Sequence, residues 1–372
     1  MSRSTPPAFN EFELSILGPG RGECVIIHVG DNQWCIVDSC ISRGLSESVA
    51  VDYLNGFNNN ALNGVRLVVA THWHDDHIRG LASVLRRVPT ASFFCSMAIN
   101  SDNFFALAET ATTAMQRNSG VEEFSEILGL IAENAPQRQP KRLASPKWVL
   151  ENRRLLRLDQ GDRPFPVSIT ALSPSDGTVK AAIAELAKLF PKSGESQRRI
   201  PSRSLNHTSI VLWIEAGPLR AMLGADLENT GNEGEGWVAV LQCHSDRQEQ
   251  IAACFFKVPH HGSSNADHPD VWTHMLAPNP IAVVTPFNGG AKRLPQPSDL
   301  ERLQARTSNL YCTTAGAGKP PARDAVVEKM MKLQAVSRRV VEGQPGQVRV
   351  RWTLRDQQTE PTVELFHGAY RA

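Results

Sequence analysis

The sequence predicts a layered α/β sandwich. Three observations carry this: apolar β-rich runs recur along the chain, helical segments separate them, and a cluster of histidines and acids comes directly after one buried run. Segments 23–29 and 33–37 are the first expected strands, joined as a hairpin by Gly30-Asp31-Asn32, residue types that favour a tight turn. A helix is expected near 45–56, then a buried strand at 65–70 that stops at Thr71. Another helix (80–87) and strand (91–97) continue the alternation. From about 98 to 156 the pattern becomes helical (103–117 and 121–133) and then Pro- and Arg-containing, which reads as an inserted segment. Further strands are expected at 167–172, 209–215, 219–223, 255–258 and 281–285. A second helical and basic insertion is read at 179–203. The tail, about 324–372, carries a helix at 324–335 and a hairpin of 347–355 with 362–366. The whole chain, 1–372, is read as one domain with these insertions.

Composition narrows the class. With 41% hydrophobic residues the chain has material for a sizeable core, and a formal net charge of +1 gives no global pull on polyanions, so any such attraction is local. The seven cysteines are scattered and never form Cys-x-x-Cys, which fits a reducing cytosol. The first residues lack a signal core, and no apolar run approaches the roughly 18 residues that span a bilayer. A soluble, cytoplasmic protein without a membrane partner is expected.

Chemistry concentrates in Thr71-His72-Trp73-His74-Asp75-Asp76-His77, in the loop after a buried strand. Neutral imidazole and carboxylate are donors that first-row divalent ions accept, and alternation places His72 and His74 on one side of an extended segment. The motif resembles the signature of the metallo-β-lactamase superfamily. That resemblance implies a four-layer αββα sandwich with metal at the strand ends. Other pieces appear in order: Asp38, closing 34–37, resembles the family's first acidic motif, which orients ligands. Asp226, in Leu223-Gly224-Ala225-Asp226, resembles the carboxylate bridging two metals. Lys257-Val258-Pro259-His260-His261-Gly262-Ser263 resembles the late histidine motif. The branch most similar is the hydrolase domain of competence DNA-uptake channel proteins, through Leu17-Gly18-Pro19-Gly20, Asn206-His207-Thr208-Ser209 and the Lys257 to Ser263 motif, over roughly 12–97 and 206–315.

The resemblance implies two divalent ions, for which zinc suits the histidine-rich set and carboxylates also admit manganese. It implies hydrolysis by a hydroxide activated between the two metals, with Asp76 and Asp226 in the catalytic set. The metal donors expected are His72, His74, Asp76, His77, His207, Asp226 and His260. His207 is left open, since members differ there. His260 is preferred over its neighbour because adjacent side chains of an extended segment point opposite ways, leaving His261 as a supporting or substrate-facing catalytic residue. Asp38 supports the donors from behind.

Three departures stand out. Ser39 and Cys40 replace the usual glycine after the acidic motif, placing either a buried structural thiol or one near the site. Arg79 comes after the cluster, facing a substrate phosphate or solvent. Leu294-Pro295-Gln296-Pro297 stands where the branch often has a histidine that could protonate a leaving group. Substrate contacts are expected from Lys257, Ser263, Arg142 and Arg154. The last two belong to a run of seven basic residues (Arg138, Lys141, Arg142, Lys147, Arg153, Arg154, Arg157) around Trp148, and Lys192, Arg198, Arg199 and Arg203 form a second group. Such groups suit nucleic acid or another phosphodiester, and equally a solvated charged loop. The function expected is a phosphodiesterase or nuclease. The alternatives are a thiolester or lactone hydrolase, and a metal-stabilised effector within a multiprotein, defence-type system, whose protein partners the sequence does not name.

Overall fold

In the computed structural model the described residues are 5–42, 47–57, 60–99, 119–134, 146–187, 206–246, 251–289, 293–315, 330, 344–354 and 360–372. They form two eight-stranded sheets. In the first, β1 (Glu11–Gly18), β2 (Cys24–Val29) and β3 (Trp34–Val37) run antiparallel, and β4 (Val65–Ala70), β5 (Ser92–Ser96) and β6 (Lys147–Val149) continue parallel to β3. At the other side β14 (Gly346–Thr353) pairs with β1 and β15 (Thr362–Phe366) with β14, forming the expected tail hairpin. The β2–β3 turn lies where expected: Gly30, Asp31 and Asn32 all take positive φ, which these residue types tolerate. β1 is an addition to the expected strands. Its Phe12, Leu14 and Ile16 face the interior, while Glu13 and Ser15 on the other face are buried through bonds with Tyr53 and, for Glu13, Arg351.

The second sheet runs in the order β16 (Tyr370–Arg371), β13 (Leu310–Cys312), β12 (Leu276–Val284), β11 (Ala253–Lys257), β10 (Leu219–Leu223), β9 (Leu212–Ala216), β8 (Val167–Ala171), β7 (Arg154–Leu158). β10 to β13 are parallel, so their C-terminal ends share one edge. β12 begins well before 281, through Pro278 and Pro280, residues that argue against a strand when read alone. The strand expected from 209 begins only at Leu212, because Asn206–Thr208 is a 3-10 turn.

Three apolar layers make this an αββα sandwich. Between the sheets, Phe12, Leu14, Ile27, Val37 and Val69 meet Ile169, Ile214, Phe255 and Val283. Outside the first sheet, Trp34, Ile36, Val68 and Phe93 are covered by α1 (Val49–Asn55), α3 (Leu81–Arg87) and α4 (Ser119–Asn134). Outside the second, Trp213, Met222 and Phe256 are covered by α6 (Gly236–Ser245), α7 (Pro269–His274) and α8 (Pro297–Gln304). A single turn, α2 (Asp75–Ile78), precedes α3, and α5 (Asp176–Ala187) occupies the second expected insertion.

The stretch that reads as the first insertion contributes more than helix. α4 packs on α3, its Glu123 accepting from the Ala82 N–H at 2.8 Å, and β6 and β7 then extend one sheet each at the edge. The expected helices at 103–117 and 324–335, and Arg138, Lys141, Arg142, Lys192, Arg198, Arg199 and Arg203, lie outside the described residues, Met330 excepted. All seven cysteines are free thiols, and no described helix is long and apolar enough to cross a membrane.

Candidate metal centre

The buried strand β4 ends at Thr71, and the histidine loop beyond it is held by Asp38 at the end of neighbouring β3. Asp38 takes a left-handed φ of 59°, turning its carboxylate under the loop. Its Oδ1 accepts from the Thr71 N–H at 2.7 Å, and Oδ2 accepts from Thr71 Oγ1 at 2.6 Å and from His77 Nδ1 at 2.7 Å. With Nδ1 committed to Asp38, the lone pair of His77 is on Nε2, which faces the cluster. α2 presents His77 on the same side as His72, whose ring centroid lies 4.2 Å away, and the His72 and His74 rings are 4.7 Å apart. We expect Asp38→Asn to weaken metal affinity by about 10–100-fold, the usual cost of losing a carboxylate behind a ligating histidine. Competition titration with a zinc-sensitive dye checks this; an unchanged affinity would leave Asp38 a support for Thr71 only.

The second sheet closes the site from β10 and β11. Asp226, 2% exposed, stands just beyond β10 with its Oδ1 3.2 Å from His77 Nε2 and its Oδ2 3.9 Å from His72 Nε2. Beyond β11, His260 and His261 both take positive φ. This turn carries His261 inward: Nδ1 donates to the Thr285 carbonyl at 2.7 Å, and Nε2 lies 3.0 Å from Asp76 Oδ2 and 3.6 Å from Asp226 Oδ2. Among the described residues, donor atoms converge within 4.8 Å in two groups that share Asp226, namely Asp76, His77, Asp226 and His261, and His72, His74 and Asp226. A third, Asp38 with His72 and His77, uses the carboxylate already engaged behind His77.

The donors fit divalent metal ions. They are imidazole and carboxylate, and His72 Nε2 is buried with no hydrogen-bond partner, a costly state for a polar atom unless something else meets it. Burial, with the neighbouring His77 and His74, holds His72 well below the ordinary imidazole range, so it stays in the neutral form that ligates. Burial alone would raise the Asp226 carboxyl, but His77 and His261, whose imidazoles the surrounding carboxylates hold above the ordinary range, outweigh it and keep the group well below the usual carboxylate range; a divalent ion would take the place of those imidazole protons as the positive charge.

Not every expected residue joins. His261 rather than His260 stands in a converging group: His260 has its Nδ1 3.0 Å from Glu228 Oε1 and 3.2 Å from Asn265 Oδ1, the turn being left-handed where the alternation rule expects an extended segment. His207, on the turn before β9, has a buried Nδ1 without a hydrogen-bond partner but is outside the converging groups. Lys257, expected as a substrate contact, is 1% exposed and paired with Glu23 at 2.7 Å. Ser263 is half-buried at the end of the histidine turn, and Arg79 is exposed at the end of α2. Cys40 is a buried core thiol, pushed well above its ordinary value by burial. Arg154 is exposed on edge strand β7 opposite Thr170. With Arg157, Gly217 and Arg220 it lines a cleft of about 360 Å³ that reaches the β9–β10 turn, the end of the sheet remote from Asp226. Residues that sequence reasoning misses are Glu23, Glu228 and Phe287, the last stacked on His261 with ring centroids 5.2 Å apart. Only a partner brought from another strand marks any of the three.

No protein-family model and no curated protein matches the chain. Among solved structures it is similar to a metallo-beta-lactamase, SMB-1, bound to 2-mercaptoethanesulfonate, at 12% identity over 70% of this chain and 82% of that one, with a TM-score of 0.31. It is also similar to the short form of human tRNase Z, at 14% identity over 80% of this chain and 90% of that one, with a TM-score of 0.34. Overlap of that degree assigns neither activity nor substrate, and it adds nothing to the narrower resemblance to competence-channel hydrolase domains. The chain's own sheet order and layers are those of an αββα sandwich, with a buried His/Asp cluster that could hold metal at the strand ends.

Proposed function

We propose that the chain is a metal-dependent hydrolase of phosphodiesters, with nucleic acid as the leading substrate class. The observation that carries the first part is the pair of donor groups sharing the buried Asp226. The first group would be held by His72, His74 and Asp226, the second by Asp76, His77, Asp226 and His261, zinc or manganese suiting both. Divalent metal bound there supplies Lewis acidity and lowers the pKa of a water to about 7. The chain's own groups do the rest. Asp38 fixes the His77 tautomer, the Thr285 carbonyl fixes that of His261, and Asp226 brings the donors of the two sheets to one point. The exposed Arg79 comes directly after the α2 turn that carries Asp76 and His77, where a guanidinium suits an anionic oxygen of the substrate.

Nucleic acid is supported by the resemblance and by two basic residues, Lys147 of β6 and Arg153 in the turn that follows it. Lys147 and Arg153 lie over the Phe94 ring, at 5.1 and 5.7 Å from its centroid, beside a half-buried Trp148. Contacts from such side chains to phosphate would weaken steeply with salt. Purified protein is expected to carry close to two equivalents of metal and to cleave bis-p-nitrophenyl phosphate and single-stranded DNA or RNA. Chelation should abolish cleavage and returned metal restore it. Absence of metal uptake would remove the hydrolase reading, and turnover of a thiolester or lactone with none of the diesters would replace the substrate class.

A further inference from the structure

We propose that Glu23 and Lys257, a buried ion pair behind the cluster, are the positioning device that registers the two sheets at the candidate metal centre. The inference rests on the metal-hydrolase reading and adds to it two residues that neither touch substrate nor donate to metal.

The second donor group is built across the sandwich. Asp76 and His77 lie beyond β4 of the first sheet; Asp226 and His261 lie beyond β10 and β11 of the second. Zinc accepts nitrogen and oxygen donors only near 2.0–2.2 Å, so a slip of about half an ångström between the sheets would break the set. Apolar packing between sheets is non-directional and does not by itself fix such a register.

Glu23 supplies the direction. It stands just before β2, and its backbone N–H donates to the Asp76 carbonyl at 2.9 Å, tying it to the first-sheet half of the site. Its side chain reaches the second sheet: Oε2 meets Lys257 Nζ at 2.7 Å and accepts from Thr285 Oγ1. Lys257 is the last residue of β11, and Nζ also donates to the Val258 carbonyl at 3.0 Å. Thr285 stands just past β12, and its carbonyl holds His261 Nδ1. One residue therefore connects Asp76, through its backbone N–H, with the support of His261, through its carboxylate. Its two oxygens also lie 3.9 Å from His77 Nδ1 and from His261 Nδ1, placing negative charge behind both imidazoles. Glu23 is 2% exposed and Lys257 1%. Burying an ion pair costs desolvation that a well-packed apolar pair would not incur, so stability alone is a weak account of its presence. Geometry is what the pair adds.

The test uses the full-length chain. Glu23→Gln keeps size and an acceptor oxygen while removing the charge; Lys257→Met removes the other half. Zinc affinity is measured by competition with a chelator, the electronic spectrum is recorded with cobalt in place of zinc, and thermal melting is tracked in parallel. Both variants are expected to melt cooperatively, to bind the more weakly held zinc about 10–100-fold less tightly than the unaltered chain, and to show a changed cobalt spectrum. Turnover should fall through kcat with KM little changed. Should the charge variants fail to fold, Thr285→Val, which removes one hydrogen bond to the same carboxylate, is read by the same measurements. Zinc affinity and cobalt spectrum equal to those of the unaltered chain, whatever the melting temperature, would overturn the positioning role while leaving the hydrolase reading intact. Failure of the unaltered chain to bind zinc would overturn both.

Discussion

Asp226→Asn is expected to keep the fold and to lose hydrolysis by at least about 10²–10³-fold, the scale seen when one charged or polar group is removed from a preorganised site. The side chain is nearly isosteric, so the packing around β10 has no cavity to absorb. The chemistry changes completely, because both donor groups share this carboxylate and a neutral amide supplies neither the charge nor the second oxygen. His72, His77 and His261 would then face one another without the acid that separates them. Metal content should fall below two equivalents along with turnover of bis-p-nitrophenyl phosphate, while circular dichroism stays as before. A variant that retained both metals and full turnover would show that another carboxylate bridges the site.

The second large effect separates two adjacent histidines. Both have left-handed backbone, so alanine would add strain to the loss of the ring; asparagine tolerates that region and makes the cleaner comparison. His261→Asn is expected to release one metal equivalent and to lower turnover by about 10²-fold or more. His260→Asn should keep both metals, since that ring faces Glu228 and Asn265. Elemental analysis of the two purified variants decides the matter, and the reverse pattern would return His260 to the donor set.

That pair also shows where local reasoning stops. The alternation rule that favours His260 holds for extended backbone, and the Pro259 to Ser263 turn leaves it: His260, His261 and Gly262 have φ of 43°, 54° and 84°. Nothing in the residue types at 260 and 261 announces this, and the turn exists because Gly262 and the surrounding strands accept it. Lys257 misleads for a related reason. A lysine is ordinarily exposed, and only a carboxylate arriving from a distant part of the chain makes a buried one tolerable. The edge strands β6 and β7 read as insertion because three- and five-residue strands rich in Lys and Arg carry too little periodicity to be seen.

The sequence by itself determined the elements whose information is local. The β2–β3 hairpin is written in two apolar runs and a Gly-Asp-Asn turn, the strand β4 in a run of apolar residues broken only by Arg66, and the donors His72, His74, Asp76 and His77 in residues close enough to share one loop. Tertiary structure decided which distant residues meet them: Asp226, expected only through the resemblance, stands between the two groups, His261 rather than His260 joins one of them, and Glu23 pairs with Lys257. The physical reason is one of range. Backbone preference and side-chain period act over a few residues, whereas a donor set and a buried ion pair depend on how two sheets are brought together by contacts between distant parts of the chain.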